Sequence, residues 1–410
     1  MPLRRLALLL GGLAMFGPFS IDTIFPAFGQ IGAQLGADKV AMQQTISVYL
    51  LAYAAMSLVH GPLSDAIGRR RVILGGLAVF TLASAGCALA TTLPQLLGFR
   101  VLQGLSAGVG LIVGRAVIRD VLHGDDAQRL MSQVSMIFGI APAIAPLIGG
   151  WILGWERWPA IFWFLVAFSL ALLAATWLAL PETHPPAARL PLRPAPLARA
   201  YAQIARNPRF LRLAAAGTFN FGALFLYIAS APAFVMDLMR LDERQFGWFF
   251  IPMIGGMMLG AFVSGRAAGR VSGLRLANAG FACCGVAVAA NIAYNLWVPA
   301  PSIPWAVLPM SLNAFGVALV FPILTLAILD MYPRQRGSAS SLQAFAGLVS
   351  NAAIAGVLSP LLSQRGLHLA LGAAAFALAG WLFWRWETRV GTRAPRCTAD
   401  AAALEPAETL

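Results

Sequence analysis

Apolar runs of about twenty residues recur down this chain, divided by short charged gaps, and twenty apolar residues is the length at which a helix crosses the hydrocarbon core of a bilayer. The core holds no water to satisfy backbone groups, so such runs fold as helices. They fall near residues 6–28, 42–61, 72–90, 95–118, 130–154 and 158–180, then near 210–236, 246–268, 272–297, 303–328, 338–362 and 367–386, about twelve in all. Of the 410 residues 59% are hydrophobic and only 11% charged, against about 25% charged in soluble chains. Lipid is therefore the main solvent. Arg4 and Arg5 precede the first run as in a leader peptide. That run is too long for one and shows no small-residue cleavage site, so it reads as a span.

A net charge of +13 invites a nucleic-acid reading, but the basic residues sit in the gaps and form no continuous face with interleaved aromatics. They set topology instead. With the N-terminus inside, arginines crowd the inner gaps, while the outer ones carry only Lys39, Arg157, Arg240, Arg244 and Arg365. The positive-inside rule then places both termini in the cytoplasm. The Pro-, Ala- and Arg-rich stretch 181–208 reads as a cytoplasmic linker between two six-helix halves, 1–180 and 209–386, with a polar tail over 387–410. The halves echo each other: Asp120 and Asp330 close spans 4 and 10, and Gly68-Arg69 is answered by Gly269-Arg270. Parallel repeats of this kind are typical of transporters.

One carboxylate interrupts the first run. An aspartate at mid-bilayer costs about 3 kcal/mol on insertion scales, so Asp22 needs a partner, water or a task. Helical rise puts it about 24 Å along span 1, roughly 6 Å below the outer edge, and Arg100 of the antiparallel span 4 about 7 Å from that same edge. A guanidinium that approaches and withdraws could switch Asp22 between proton release and uptake. Cys87, Cys283, Cys284 and Cys397 suggest no metal or disulfide frame. No phosphate-binding loop, zinc-protease helix or serine elbow is present, and no cofactor is expected.

The loop GPLSDAIGRRR, with Gly61, Asp65, Gly68, Arg69 and Arg70, resembles the G-x-L-x-D-x-x-G-R-R loop between the second and third helices of the major facilitator superfamily. Span 4 opens with Arg100, Gln103 and Gly104, similar to that family's R-x-x-Q-G pattern. Span 5 carries Pro142, Pro146, Gly149 and Gly150 in APAIAPLIGG, which resembles the signature of the family's drug:proton antiporters, with Ala145 where the pattern usually has Gly. With FSIDTIFPAF and WPAIFWFL, the chain from Leu6 to about Trp386 looks like the Bcr/CflA subfamily of bacterial drug exporters. It departs at Ile24-Phe25, where that subfamily often has an aromatic-Leu pair, and at Arg266, where the repeated loop would have its acid.

The resemblance implies an all-α membrane fold of two six-helix halves about a pseudo-two-fold axis, in the bacterial inner membrane. It implies export of small amphipathic drugs, chloramphenicol-like or bicyclomycin-like, in exchange for protons. It also implies that Asp65, Arg69 and Asp120 form a relay, expected to lock the inner face when the cavity opens outward. Asp22, Tyr49, Tyr53, Gln103, Met136, Asn220, Tyr227, Met257, Asn313, Phe315 and Asn351 are the candidate cavity residues, as aromatic, thioether and amide groups suited to varied ligands. The expected partners are substrate, protons and lipid, with no nucleic acid, and the expected assembly is a monomer. Export of a sugar, nucleoside or amino acid derivative is the rival within transport; a membrane enzyme or receptor on the same fold is the rival from outside it.

Overall fold

The computed structural model describes residues 3–393 except 123, 190, 299–300 and 334, and at 3, 124–129, 132, 135–136, 188 and 391–393 it describes the backbone only. Every regular element among the described residues is helical. The N-terminal half is built from α1 (Leu3–Asp22), α2 (Phe28–Leu35), α3 (Lys39–Ser57), α4 (His60–Ile67), α5 (Arg69–Ala88), α6 (Leu93–Ala107), α7 (Gly114–Val121), α8 (Gly124–Leu153) and α9 (Pro159–Ala179). A linker helix, α10 (Pro194–Ala205), leads to α11 (Pro208–Ala229), α12 (Gly247–Ala267), α13 (Gly273–Trp297), α14 (Leu308–Met331), α15 (Arg336–Ala353), α16 (Ser359–Leu362) and α17 (Gly366–Arg393).

Ten helical stretches are long and apolar enough to span, and α3 with α4, bent by 48°, makes an eleventh. The expected fifth span is α8, thirty residues long, whose apolar stretch, Ile137–Leu153, is shorter. The first span does not stop near residue 28. It breaks after Asp22 into a 3-10 turn, Phe25–Ala27, and resumes as α2, so that one apolar stretch runs Arg4–Leu35. The polar Gln30 and Gln34 hide this continuation in the sequence, yet Phe28, Ile31 and Gly32 are buried and Gln34 accepts a hydrogen bond from the Trp158 indole at 2.7 Å. Gly36, at φ 64°, ends the helix in the left-handed conformation that a glycine tolerates best. Asp38 then caps α3, accepting from the Ala41 amide at 2.7 Å.

The direct hydrogen bonds and ion pairs seen between the halves among the described residues lie at one end of the bundle. Gln43 donates to the Ala229 carbonyl and Gln44 to that of Gly356, both at 2.9 Å, and Ser47 donates to that of Ala352 at 3.0 Å. Lys39 pairs with Asp237, and Phe25 stacks on Phe250 with centroids 6.3 Å apart. At the opposite end, marked by Arg69, the linker spans the halves: the Tyr201 hydroxyl donates to the Leu58 carbonyl at 2.8 Å and pairs with Ser341 on α15. The helix bundle is thus fastened at the Lys39 end and strapped at the Arg69 end.

Candidate functional site

Asp22 is the last residue of α1, only 4% exposed, and has no hydrogen-bond or ion-pair partner among the described residues. The break that follows it is held by its neighbours. The Thr23 hydroxyl turns back to the Phe19 carbonyl, and Gly149 of α8 lies so close to the Thr23 carbonyl that a Cβ there would overlap it. This is what the glycine pair of span 5 supplies. Its second member, Gly150, makes the same close approach to the Glu243 carbonyl, in the other half. Gly154, one turn on, receives the Arg244 guanidinium on its carbonyl at 3.2 Å. Pro142 and Pro146 lie inside the same helix, removing two amide donors just before the glycines.

Arg100 is completely buried and does not pair with Asp22. Its Nη1 donates to the Ser20 carbonyl at 2.9 Å and to Gln103 Oε1 at 2.7 Å, and its Nε donates to the Thr45 carbonyl at 3.2 Å. The guanidinium lies 4.4 Å from the centroid of the Tyr49 ring, and Nη2 has no partner. Gln103 passes the network to Ser84 at 2.8 Å. So one arginine ties spans 1, 2 and 4 together through backbone carbonyls, two residues from Asp22. Gly104 makes room for it by pressing its α-carbon face on the Tyr49 carbonyl.

At the far end of these spans Arg69 is 7% exposed and meets two carboxylates, Asp65 at 2.5 Å and Asp120 at 3.1 Å, with Ser64 at 2.6 Å. Asp65 lies one helical turn away across the α4–α5 junction, whose bend Gly68 makes at φ 106°. The cluster has two members that the sequence did not announce. Glu182, the second residue of the linker, accepts from the Arg69 amide at 2.9 Å and so caps α5, and Thr183 donates to Asp120 at 3.1 Å. A side chain at Gly68 would collide with Glu182. Arg70 points elsewhere, donating to the Trp177 carbonyl at 2.7 Å and lying over that indole. Gly61 has open space around it. Every partner of the cluster belongs to the N-terminal half or to the start of the linker.

A family model for the Major Facilitator Superfamily matches residues 8–355. The chain belongs to the major facilitator superfamily. It is 29% identical over 259 residues to the Bicyclomycin resistance protein homolog of Haemophilus influenzae, covering 63% of this chain and 65% of that protein. It is 32% identical over 268 residues to the uncharacterized MFS-type transporter YdgK of Bacillus subtilis, covering 64% and 66%. Those two alignments thus span just under two thirds of the relatives' own length. To the multidrug resistance protein MdtM of Escherichia coli K12 it is 29% identical over 319 residues, covering 78% of this chain and 77% of that one. Among solved structures, the D-xylose-proton symporter superposes with a TM-score of 0.71 at 12% identity, covering 93% of this chain and 98% of that one. A bacterial homolog of the human lysosomal transporter Spinster, in an inward-facing and unoccupied conformation, gives 0.69 at 18% identity, covering 94% and 96%. These superpositions speak for the fold. Family and helices make this a multi-pass membrane protein of the major facilitator superfamily.

The facilitator's C-terminal half meets the other candidates with amides. Tyr227 accepts from Asn291 Nδ2 at 2.6 Å, and Asn291 receives Asn295 at 3.0 Å. Tyr227 and Asn291 line a cavity of about 10 Å³, together with Asn313, whose two amide atoms both lack a partner among the described residues. That is space for about one water molecule. Asn220 is buried with its oxygen unpaired, and Asn351 is 9% exposed on α15 beside the Ser47 contact. Met257 packs against the core, and the Phe315 carbonyl receives the close approach of Gly260. Tyr49 and Gln103 are wholly buried in the Arg100 network, whereas Tyr53 is half-buried and stands beside Arg115. The side chain of Met136 lies outside the described residues. His60, at the start of α4, is 2% exposed and packs by Gly108 with Nδ1 unpartnered among the described residues.

Proposed function

We propose that this facilitator exports small amphipathic drugs across the bacterial inner membrane in exchange for protons, with both termini and the linker in the cytoplasm. The names of its relatives in bicyclomycin and multidrug resistance support the substrate class, and the arginine asymmetry supports the orientation. The observation that carries the coupling is Asp22: a carboxylate at the break of a span, enclosed and without a partner among the described residues, two residues from the Ser20 carbonyl on which the Arg100 guanidinium is fixed. On this reading Asp22 holds the proton while this arrangement lasts. If the break straightens or Ser20 moves away, Arg100 is released towards the carboxylate and favours proton loss.

In this orientation the Lys39 end is periplasmic. The halves are fastened there, which makes the structure the inward-facing state; Asp65, Arg69 and Asp120 then act as the hinge seat on which the inner ends close. One proton moving through 100 mV supplies about 2.3 kcal/mol, enough for a roughly fifty-fold gradient of a neutral drug. Efflux from everted vesicles, with and without a protonophore, tests the reading. Asp22→Asn is expected to abolish protonophore-sensitive transport of a neutral drug while the folded protein still binds it. Uphill transport by that variant at the wild-type rate would remove Asp22 from the mechanism.

A further inference from the structure

The fastening at the Lys39 end is made largely by one face of one helix. Gln43, Gln44 and Ser47 lie within a turn of each other near the start of α3, and each donates across the seam to a carbonyl of the C-terminal half. The acceptors are Ala229, Gly356 and Ala352 in that order. Gln43 and Ser47 are only 5% and 7% exposed, so their bonds are shielded from water. The Lys39–Asp237 pair nearby is largely exposed and contributes little by comparison.

All three acceptors stand where a regular helix is interrupted. Ala229 is the last residue of α11, Gly356 lies inside the π-helical turn Ile354–Leu358 of span 11, and Ala352 comes two residues before that turn. Helix ends and widened turns present carbonyls that can accept from outside the helix. The two interruptions are also tied to each other, since the Ser230 and Ser359 hydroxyls, which directly follow them, share a hydrogen bond at 2.8 Å. Gly356 completes the fit. A Cβ there would overlap the Ser47 side chain, so the missing side chain is the socket in which α3 sits.

A seal of this chemistry differs from an apolar one in what it costs to open. Apolar faces pulled apart expose surface that water solvates poorly. Each of these carbonyls and amides instead exchanges its partner for water when the seam parts, so the balance between shut and open turns on a few polar contacts.

We propose that Gln43, Gln44 and Ser47, seated by Gly356 on the interruptions of spans 7 and 11, form the catch that sets how often the Lys39 end opens. This rests on the alternating motion of the export reading above and assigns the residues that hold one of its two states. Removing a donor penalises only the shut form, where the carbonyl is buried, because water replaces the donor once the seam is open.

The test is pulsed dipolar EPR on the full-length protein in phosphatidylcholine nanodiscs. Nitroxides are placed at Val40→Cys and Leu361→Cys, exposed residues at the Lys39 ends of spans 2 and 11, with the four native cysteines replaced by alanine. This parent is expected to show mainly a short distance. Gln43→Leu combined with Ser47→Ala should raise the ratio of long to short distances about tenfold. Gly356→Ala should raise it as well, by filling the socket. Each variant is accepted only if it elutes as a single folded species; should Gly356→Ala fail there, the Gln43 and Ser47 pair, which leaves room in the seam, decides alone. A distribution in that pair unchanged from the parent overturns the inference and leaves the export reading standing. An impermeant maleimide on intact cells should label Val40→Cys; labelling only in everted vesicles overturns the orientation of the export reading whatever the distances show.

Discussion

The two halves share a plan and differ in what they bury. At comparable depth the N-terminal half sets Asp22, Arg100 and Gln103, whereas the C-terminal half sets Tyr227, Asn291 and Asn313. In the first, a charged group holds three spans by their carbonyls, and a second charged group is left unpaired beside it. In the second, neutral amides bond each other, a tyrosine hydroxyl or nothing among the described residues, beside a space that fits about one water. At this depth the duplicated scaffold thus buries charge in one half and neutral groups in the other, the C-terminal half keeping its own buried carboxylate, Glu387, paired with Arg209 and Arg212 at the far end of α17. On the proposed reading, a rocking pair of halves needs only one to sense protons there, while the other can serve as a wall.

Breaking the charged knot should have the largest effect. Arg100→Gln leaves the Ser20 and Thr45 carbonyls without their donor, at about 1–3 kcal/mol for each buried group, and should remove transport along with several degrees of melting temperature. Transport assayed beside thermal unfolding in detergent would show it; full activity in that variant would make the two halves energetically alike. A smaller effect is expected where the Arg69 cluster meets the linker. Glu182→Ala removes the cap of α5, worth about 1 kcal/mol, and should slow turnover a few-fold with substrate affinity unchanged, as read from initial rates against binding. The smallest belongs to the C-terminal half: Asn313→Leu replaces an amide with two unpaired atoms by an apolar group of similar size, and such a change is close to neutral or stabilising. Its melting temperature should be equal to wild type or higher, and a marked fall would show that Asn313 has a partner that matters.

Much of this contrast could be read from residue order because charge is loud in an apolar chain. Asp22 and Arg100 stand alone in their runs, and the GPLSDAIGRRR loop combines glycines, an acid and arginines in a pattern with few rival meanings. What sequence hides is any contact whose two ends are far apart and individually ordinary. Glu182 is one acid in a proline-rich linker, and nothing local says that it folds back on Arg69. Glu387 likewise looks like the first residue of a polar tail, but α17 continues through it, and it is 6% exposed and joined to Arg209 and Arg212 at 2.8 Å. The Asp22–Arg100 pair was a matter of depth alone. Depth brought them to adjacent turns but could not tell that backbone carbonyls would claim the guanidinium first.

Gly149 and Gly150 are neighbours in the chain, yet one rests on the backbone of its own half and the other on the backbone of the opposite half. The boundary between the halves therefore passes between two consecutive residues of a single helix, and on the proposed export reading it is the seam along which they part. When the Lys39 end opens, Glu243 must lift from Gly150 while Thr23 stays seated on Gly149, so the motion of half a molecule is resolved there to one peptide unit. Asp22 sits immediately before Thr23, on the side of the seam that does not move. If Asp22 carries the proposed proton, that proton is held by the fixed jaw, and the moving jaw closes over it.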